Sequence, residues 1–140
     1  MADSRLSAGQ FGLAYVAVLL VFLVLDGLWL GLIARDLYKR EMGSLMADTV
    51  RIAPAAIFYL LFPLAVVYLT VFVAPAGWGE AVLRGAVLGL AAYGAYDLTA
   101  LSVVRGWPLK LSLIDLAWGG VITAAGAAAA YAATWARAGA

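Results

Sequence analysis

This 140-residue sequence contains no cysteine and no histidine. Disulfides, thiol nucleophiles, Ser-His-Asp triads and histidine-ligated metal centres are therefore excluded. Charge is also scarce, because only 12% of the residues are charged, about half the share in soluble domains. A net charge of +1 without a basic block gives no reason to expect a nucleic-acid partner. No metal site is predicted, and the residues indicate no particular cofactor.

What the sequence has instead is hydrophobic residues, 66% of the chain, in four long runs. A helix rises about 1.5 Å per residue, so each run is long enough to cross a hydrocarbon core of ~30 Å. We expect spans at 11–33, 52–74, 80–104 and 109–135. The first run is too long for a signal-peptide core, and we expect it to remain in the mature protein. The predicted fold is an all-α, integral membrane four-helix bundle with up-down-up-down topology, one transmembrane domain over residues 1–140.

Between spans one and two lies the one sizeable polar segment, 34–51. Its apolar residues recur at three- and four-residue spacing, which suits an amphipathic helix lying among the lipid headgroups. A solvated loop with a short helical turn fits equally well. The pairs Gly27/Gly31 and Gly85/Gly89 have small-xxx-small spacing, which lets another helix backbone approach closely.

The distribution of Lys and Arg predicts the orientation of the chain. Four spans place both termini on one side, together with the turn near residue 77. That side has three basic residues, namely Arg5, Arg84 and Arg137. The side of loops one and three has six: Arg35, Lys39, Arg40, Arg51, Arg105 and Lys110. This bias favours cytoplasmic loops one and three and both termini outside.

Three acids, Asp26, Asp97 and Asp115, lie inside the apolar runs. Each is six or seven residues from a helix end on the side of loops one and three, so all three should lie about 9–11 Å inside one interface. A carboxylate in hydrocarbon is costly unless the protein satisfies it. We expect these acids to converge and to serve as acid/base or proton-binding groups. The alternative is a polar clamp that only holds the helices in register.

Hydrogen-bond donors accompany the acids. Trp29 follows Asp26 at i+3, and Trp118 follows Asp115 at the same spacing, so each pair shares a helix face. The predicted ligand-binding residues are Trp29, Tyr59, Tyr93, Tyr96, Thr99 and Trp118.

These motifs resemble a known family. The elements are Asp26-x-x-Trp29-Leu30, the run Tyr93-Gly-Ala-Tyr96-Asp97-Leu98-Thr99, and Asp115-x-x-Trp118-Gly119. Together they resemble the DUF2177 family of small bacterial membrane proteins over nearly the whole chain. The family often has Asn after the Thr, where this chain has Ala100. The resemblance implies four spans and a bacterial inner membrane location, but no established reaction.

Three functions fit the sequence. The first is lipid handling: binding or modifying a lipid or isoprenoid, or serving as a subunit of such an enzyme. The second is a small proton-coupled transporter that acts as a homodimer. The third is a non-catalytic assembly subunit of a membrane complex. Whether the protein is an enzyme stays open, and its partners would be the bilayer, a lipid or small amphipathic ligand, and a second copy or a complex.

Overall fold

The computed structural model describes residues 4–138, and four of its helices are long and apolar enough to cross a membrane. The all-α, four-span prediction is confirmed. In chain order, the helices are α1 (Ala8–Leu28, continued by a π-helical turn Trp29–Ile33), α2 (Arg35–Met42), α3 (Ile52–Thr70), α4 (Trp78–Val103), α5 (Leu109–Ala133) and α6 (Trp135–Ala138).

Helix α1 begins three residues earlier than the hydrophobic run suggests, because a polar capping box starts it. The Ser7 hydroxyl accepts the Gln10 backbone N–H at 3.2 Å, and the Gln10 side chain accepts the Ser7 N–H at 2.8 Å. This reciprocal pair satisfies two of the free donors at the helix start.

Helix α3 ends at Thr70, four residues before the predicted position 74. The following segment is extended and pairs with the N-terminal residues, with Leu6 N donating to Phe72 O at 3.0 Å. Arg84 of α4 donates to the carbonyls of Thr70 and Val73 at 3.0 Å. The Thr70 carbonyl is one that a helix end leaves free, and Arg84 supplies its donor. The bond from Leu6 to Phe72 holds the residues that follow outside the helix.

Close packing of α4 on α5 depends on glycine. A Cβ added to Gly85 would lie 2.7 Å from the Thr123 carbonyl oxygen, and one added to Gly89 would collide with the Gly119 carbonyl. The small-xxx-small pair in the third span therefore sits in a helix–helix interface, as predicted. The pair Gly27/Gly31 does not, because an added Cβ there meets nothing within 4 Å in the part of the chain that the structure describes.

The core lies at the end of the bundle that holds the N-terminus. Helix α5 contacts α1, α3 and α4, and the buried side chains of α3 begin at Phe62. The earlier residues of α3 are half-buried or exposed. The other end of the bundle is therefore less tightly filled. The 34–51 segment connects α1 to α3 at that end and combines helix α2, a 3-10 turn (Gly43–Leu45) and irregular chain.

Candidate functional site

A cavity of about 650 Å³ opens at the loosely filled end of the bundle. All four spans and α2 contribute to its wall. Fourteen residues line it: Asp26, Trp29, Leu30, Tyr38, Arg51, Pro54, Ala55, Phe58, Tyr59, Ala92, Tyr93, Tyr96, Asp115 and Trp118. Two of the three aspartates singled out from the sequence thus face the same space.

Asp26 is the most fully hydrogen-bonded of the three aspartates. Its side chain is buried, and one carboxylate oxygen accepts the Tyr59 hydroxyl at 2.6 Å. The other oxygen accepts the Trp118 indole N–H at 2.8 Å. Asp26 lies on α1, Tyr59 on α3 and Trp118 on α5, so one carboxylate joins three spans. The indole donor to Asp26 is thus Trp118 of α5, and not Trp29, which was expected to share its helix face.

Asp115 is bound from outside the spans. The hydroxyl of Tyr38, on helix α2, donates to Asp115 Oδ1 at 2.6 Å. The ends of α2 and α5 also approach each other at the ion pair between Lys110 and Glu41, with a separation of 4.0 Å. Burial and, next, the bond to Asp115 raise the pKa of Tyr38 above its ordinary value. The hydroxyl therefore keeps its proton and remains a hydrogen-bond donor throughout the neutral pH range.

Asp97 lies behind the cavity wall. It is 1% exposed, and its carboxyl group is next to that of Asp115. Its Oδ2 atom has no hydrogen-bond partner within residues 4–138. The structure thus places all three aspartates at one end of the bundle, two on the cavity and one in contact with the second.

Trp29 and Trp118 form a stacked pair in the wall. Their ring centroids are 4.5 Å apart, and their planes differ by 8°. Trp29 begins the π-helical turn that ends α1, and π turns inside helices are frequent at functional sites. The indole N–H of Trp29 is buried and has no acceptor within hydrogen-bond geometry among residues 4–138.

The predicted ligand-binding residues are divided by the structure. Tyr59, Tyr93 and Tyr96 line the cavity, as do both tryptophans. Tyr96 is 58% exposed, and its ring meets Trp107 edge-on at 5.6 Å. Thr99 is exposed and does not line the cavity.

Sequence reasoning missed Tyr38 and Phe58. Tyr38 lies on the apolar face of the 34–51 segment. The three- and four-residue spacing of that segment predicted this face, but it did not indicate that Tyr38 would bond to Asp115. Phe58 stacks on Phe62 with a centroid distance of 5.0 Å. Phe58 resembled any lipid-facing residue of a span, and nothing in its spacing distinguished it.

The residues of the cavity offer hydrogen bonding, proton exchange and contacts with aromatic rings. No group of three or more potential metal-ligating side chains occurs among residues 4–138. The carboxylates of Asp26 and Asp115 can accept further hydrogen bonds. The site can therefore bind a polar or charged group in an otherwise apolar cavity.

Comparison with known proteins gives a family. Neither the curated proteins nor the solved structures include a significant match to this chain. The family model DUF2177, described as a predicted membrane protein, matches residues 11–132. This range covers nearly all of the four spans and every residue of the cavity. The chain therefore belongs to the DUF2177 family.

Proposed function

We propose that this protein is a lipid-handling membrane protein that holds an amphiphile in the cavity at the end of the bundle. The observation that carries the proposal is the composition of the cavity, whose wall is largely aromatic and aliphatic and contains Asp26 and Asp115. An apolar cavity with a few polar groups is the usual form of a small-molecule site. A volume of about 650 Å³ lies within the usual range for such sites.

Helix α3 forms the outer wall. Its residues before Phe62 are half-buried or exposed, and Pro54, Ala55, Phe58 and Tyr59 line the cavity. Its first turn follows Arg51, which also lines the cavity and marks the end facing the headgroups. This arrangement supports entry of the polar head group of a lipid from the membrane surface while its hydrocarbon tail remains beside α3.

A structural role for part of the cluster is favoured by a specific observation. The bonds from Tyr59 and Trp118 to Asp26 tie three helices together. In membranes such bonds contribute on average well under 2 kcal/mol each. We propose that Asp26 both holds the helices and contributes charge, whereas a protein that acted only as an assembly subunit would not need the cavity.

We also propose a bacterial cytoplasmic membrane location with the cavity on the cytoplasmic side. Six Lys and Arg residues flank the cavity end, against three at the other end. Positive charge near spans is retained on the cytoplasmic side. Both termini would then lie outside.

The proposal is tested by filling the cavity. Ala92 lines it, whereas Ala95, one turn away on the same helix, is exposed. We expect native mass spectrometry of the protein from mild detergent to show bound lipid in the wild type and in Ala95→Leu. Ala92→Leu should lose that lipid while it elutes normally in size-exclusion chromatography.

Equal lipid retention by the two leucine variants would contradict the cavity as the site. Deletion of the gene, followed by complementation with wild type or Asp97→Asn, shows whether handling includes chemical change. A lipid composition that shifts on deletion and is restored only by the wild type indicates modification of a lipid. An unchanged composition indicates binding alone.

A further inference from the structure

We propose that the head group held in this cavity is cationic, an amine or a quaternary ammonium. The inference rests on the proposed function and specifies its ligand class. Two features of the structure carry it: the carboxylates of the lining and the aromatic rings around them.

The charged residues of the lining favour a cation in the interior. They are Asp26, Asp115 and Arg51. Arg51 is exposed and precedes the first turn of α3, so it lies at the outer end. Within the described residues, the hydrogen-bond donors to these two aspartates are hydroxyl and indole groups, which are neutral. These donors orient the carboxylates without cancelling their charge, and a buried charge needs a partner of opposite sign.

Aromatic rings supply the second feature. Seven of the fourteen lining residues are aromatic: Trp29, Tyr38, Phe58, Tyr59, Tyr93, Tyr96 and Trp118. The face of an aromatic ring is negative, so it attracts a cation, and aromatic cages are a recurrent site for quaternary ammonium groups. An anionic head group would meet repulsion from both the rings and the carboxylates.

Asp97 lies behind the lining and is not one of these two features. Its side chain is 1% exposed, and its carboxyl group adjoins that of Asp115. Because Asp97 does not line the cavity, a cation there would bind at Asp26 and Asp115. Arg51, at the outer end, would then adjoin the phosphate of an amine-containing phospholipid.

The test compares head groups on one chain. Full-length protein in maltoside detergent is incubated with tritiated dodecyltrimethylammonium, dodecyl phosphate or pentaethylene glycol dodecyl ether, and scintillation proximity measures the bound probe. We expect the cationic probe to bind roughly tenfold more tightly than the others, which corresponds to about 1.4 kcal/mol. Asp26→Asn and Asp115→Asn should remove this preference. Asp48→Asn, which alters an exposed acid outside the cavity, should leave it unchanged.

The outcomes separate this inference from the proposed function. Equal binding of the three probes overturns the cationic head group but leaves the lipid site standing, whereas failure of all three overturns both. Tetramethylammonium, which has no alkyl chain, is also tested as a competitor of the tritiated cationic probe. If it displaces that probe at the same concentration as unlabelled dodecyltrimethylammonium does, the cation site is supported and its ligand is a free small cation. If an aspartate variant does not elute as folded protein, the wild-type comparison of head groups still decides.

Discussion

At the scale of the residue, the three aspartates at the cavity end have different partners. Asp26 accepts bonds from two spans, Asp115 accepts one from α2, and Asp97 Oδ2 has none in the part of the chain that the structure describes. A buried acceptor that loses its donor lowers the free energy of unfolding. Removing a donor should therefore have a different effect at each of the three aspartates. Asp26 should be the most sensitive to loss of a neighbouring hydroxyl.

Tyr59→Phe tests this at a single atom. The change removes the donor 2.6 Å from Asp26 Oδ2 and keeps the ring in the cavity wall. We expect a loss of about 0.5–2 kcal/mol in the free energy of unfolding, since bonds of this kind in membranes lie in that range. Unfolding in mixed detergent micelles measures the change. Tyr68→Phe removes the same atom from a ring that is 60% exposed and should be close to neutral; an equal loss in both variants would contradict the assignment.

At the scale of the element, the glycines of α4 and α5 set how closely these helices approach. Gly85 and Gly89 pack directly on the backbone of α5, and Gly119 packs against the ring of Tyr93. This close contact brings Tyr93 and Trp118 to the same cavity. By contrast, Gly27 has open space around it within the described chain.

Gly89→Ala should therefore destabilise the protein, although alanine is the better helix former. Its methyl group would collide with the Gly119 carbonyl and lie 2.7 Å from Thr123 Oγ1, and overpacking of this kind typically costs about 1–3 kcal/mol. The midpoint of thermal unfolding, followed by size-exclusion chromatography after heating, reports the loss. Gly27→Ala is the matched control and should keep or raise the midpoint. A Gly89→Ala protein as stable as the wild type would show that the interface can relax.

At the scale of the whole molecule, basic residues are unequally divided between the two ends of the bundle. The cavity end has loops one and three, and the other end has the described terminal residues and the turn before α4. This asymmetry is the basis for the proposed cytoplasmic position of the cavity. Orientation matters because it decides which leaflet supplies the ligand.

Ser44→Cys and Ala76→Cys test the orientation. Both positions are exposed, one at each end of the bundle, and the natural chain contains no cysteine that could react in the background. In intact cells, a membrane-impermeant maleimide should label Ala76→Cys and leave Ser44→Cys unlabelled until the cells are broken open. The reverse pattern would place the cavity on the outer side.

The sequence by itself determined the number and approximate position of the spans, because the thickness and apolarity of a bilayer set the length and hydropathy that each span must have. It also determined that Asp26, Asp97 and Asp115 lie near one end of the bundle, since depth follows from the rise per residue. The glycine spacing in α4 indicated a close interface for the same reason: the face of a helix is set by its own periodicity.

Only the tertiary structure decided which groups meet. Asp26 pairs with Tyr59 and Trp118, which are distant in the chain, and Tyr38 reaches Asp115 from outside the spans. The early end of α3 depends on Arg84 and the N-terminal segment. Periodicity fixes the direction of a side chain on its own helix, but not the rotation and approach of the neighbouring helices. The rotation and approach of neighbouring helices follow from packing. They place Asp115 on the cavity and Asp97 behind it.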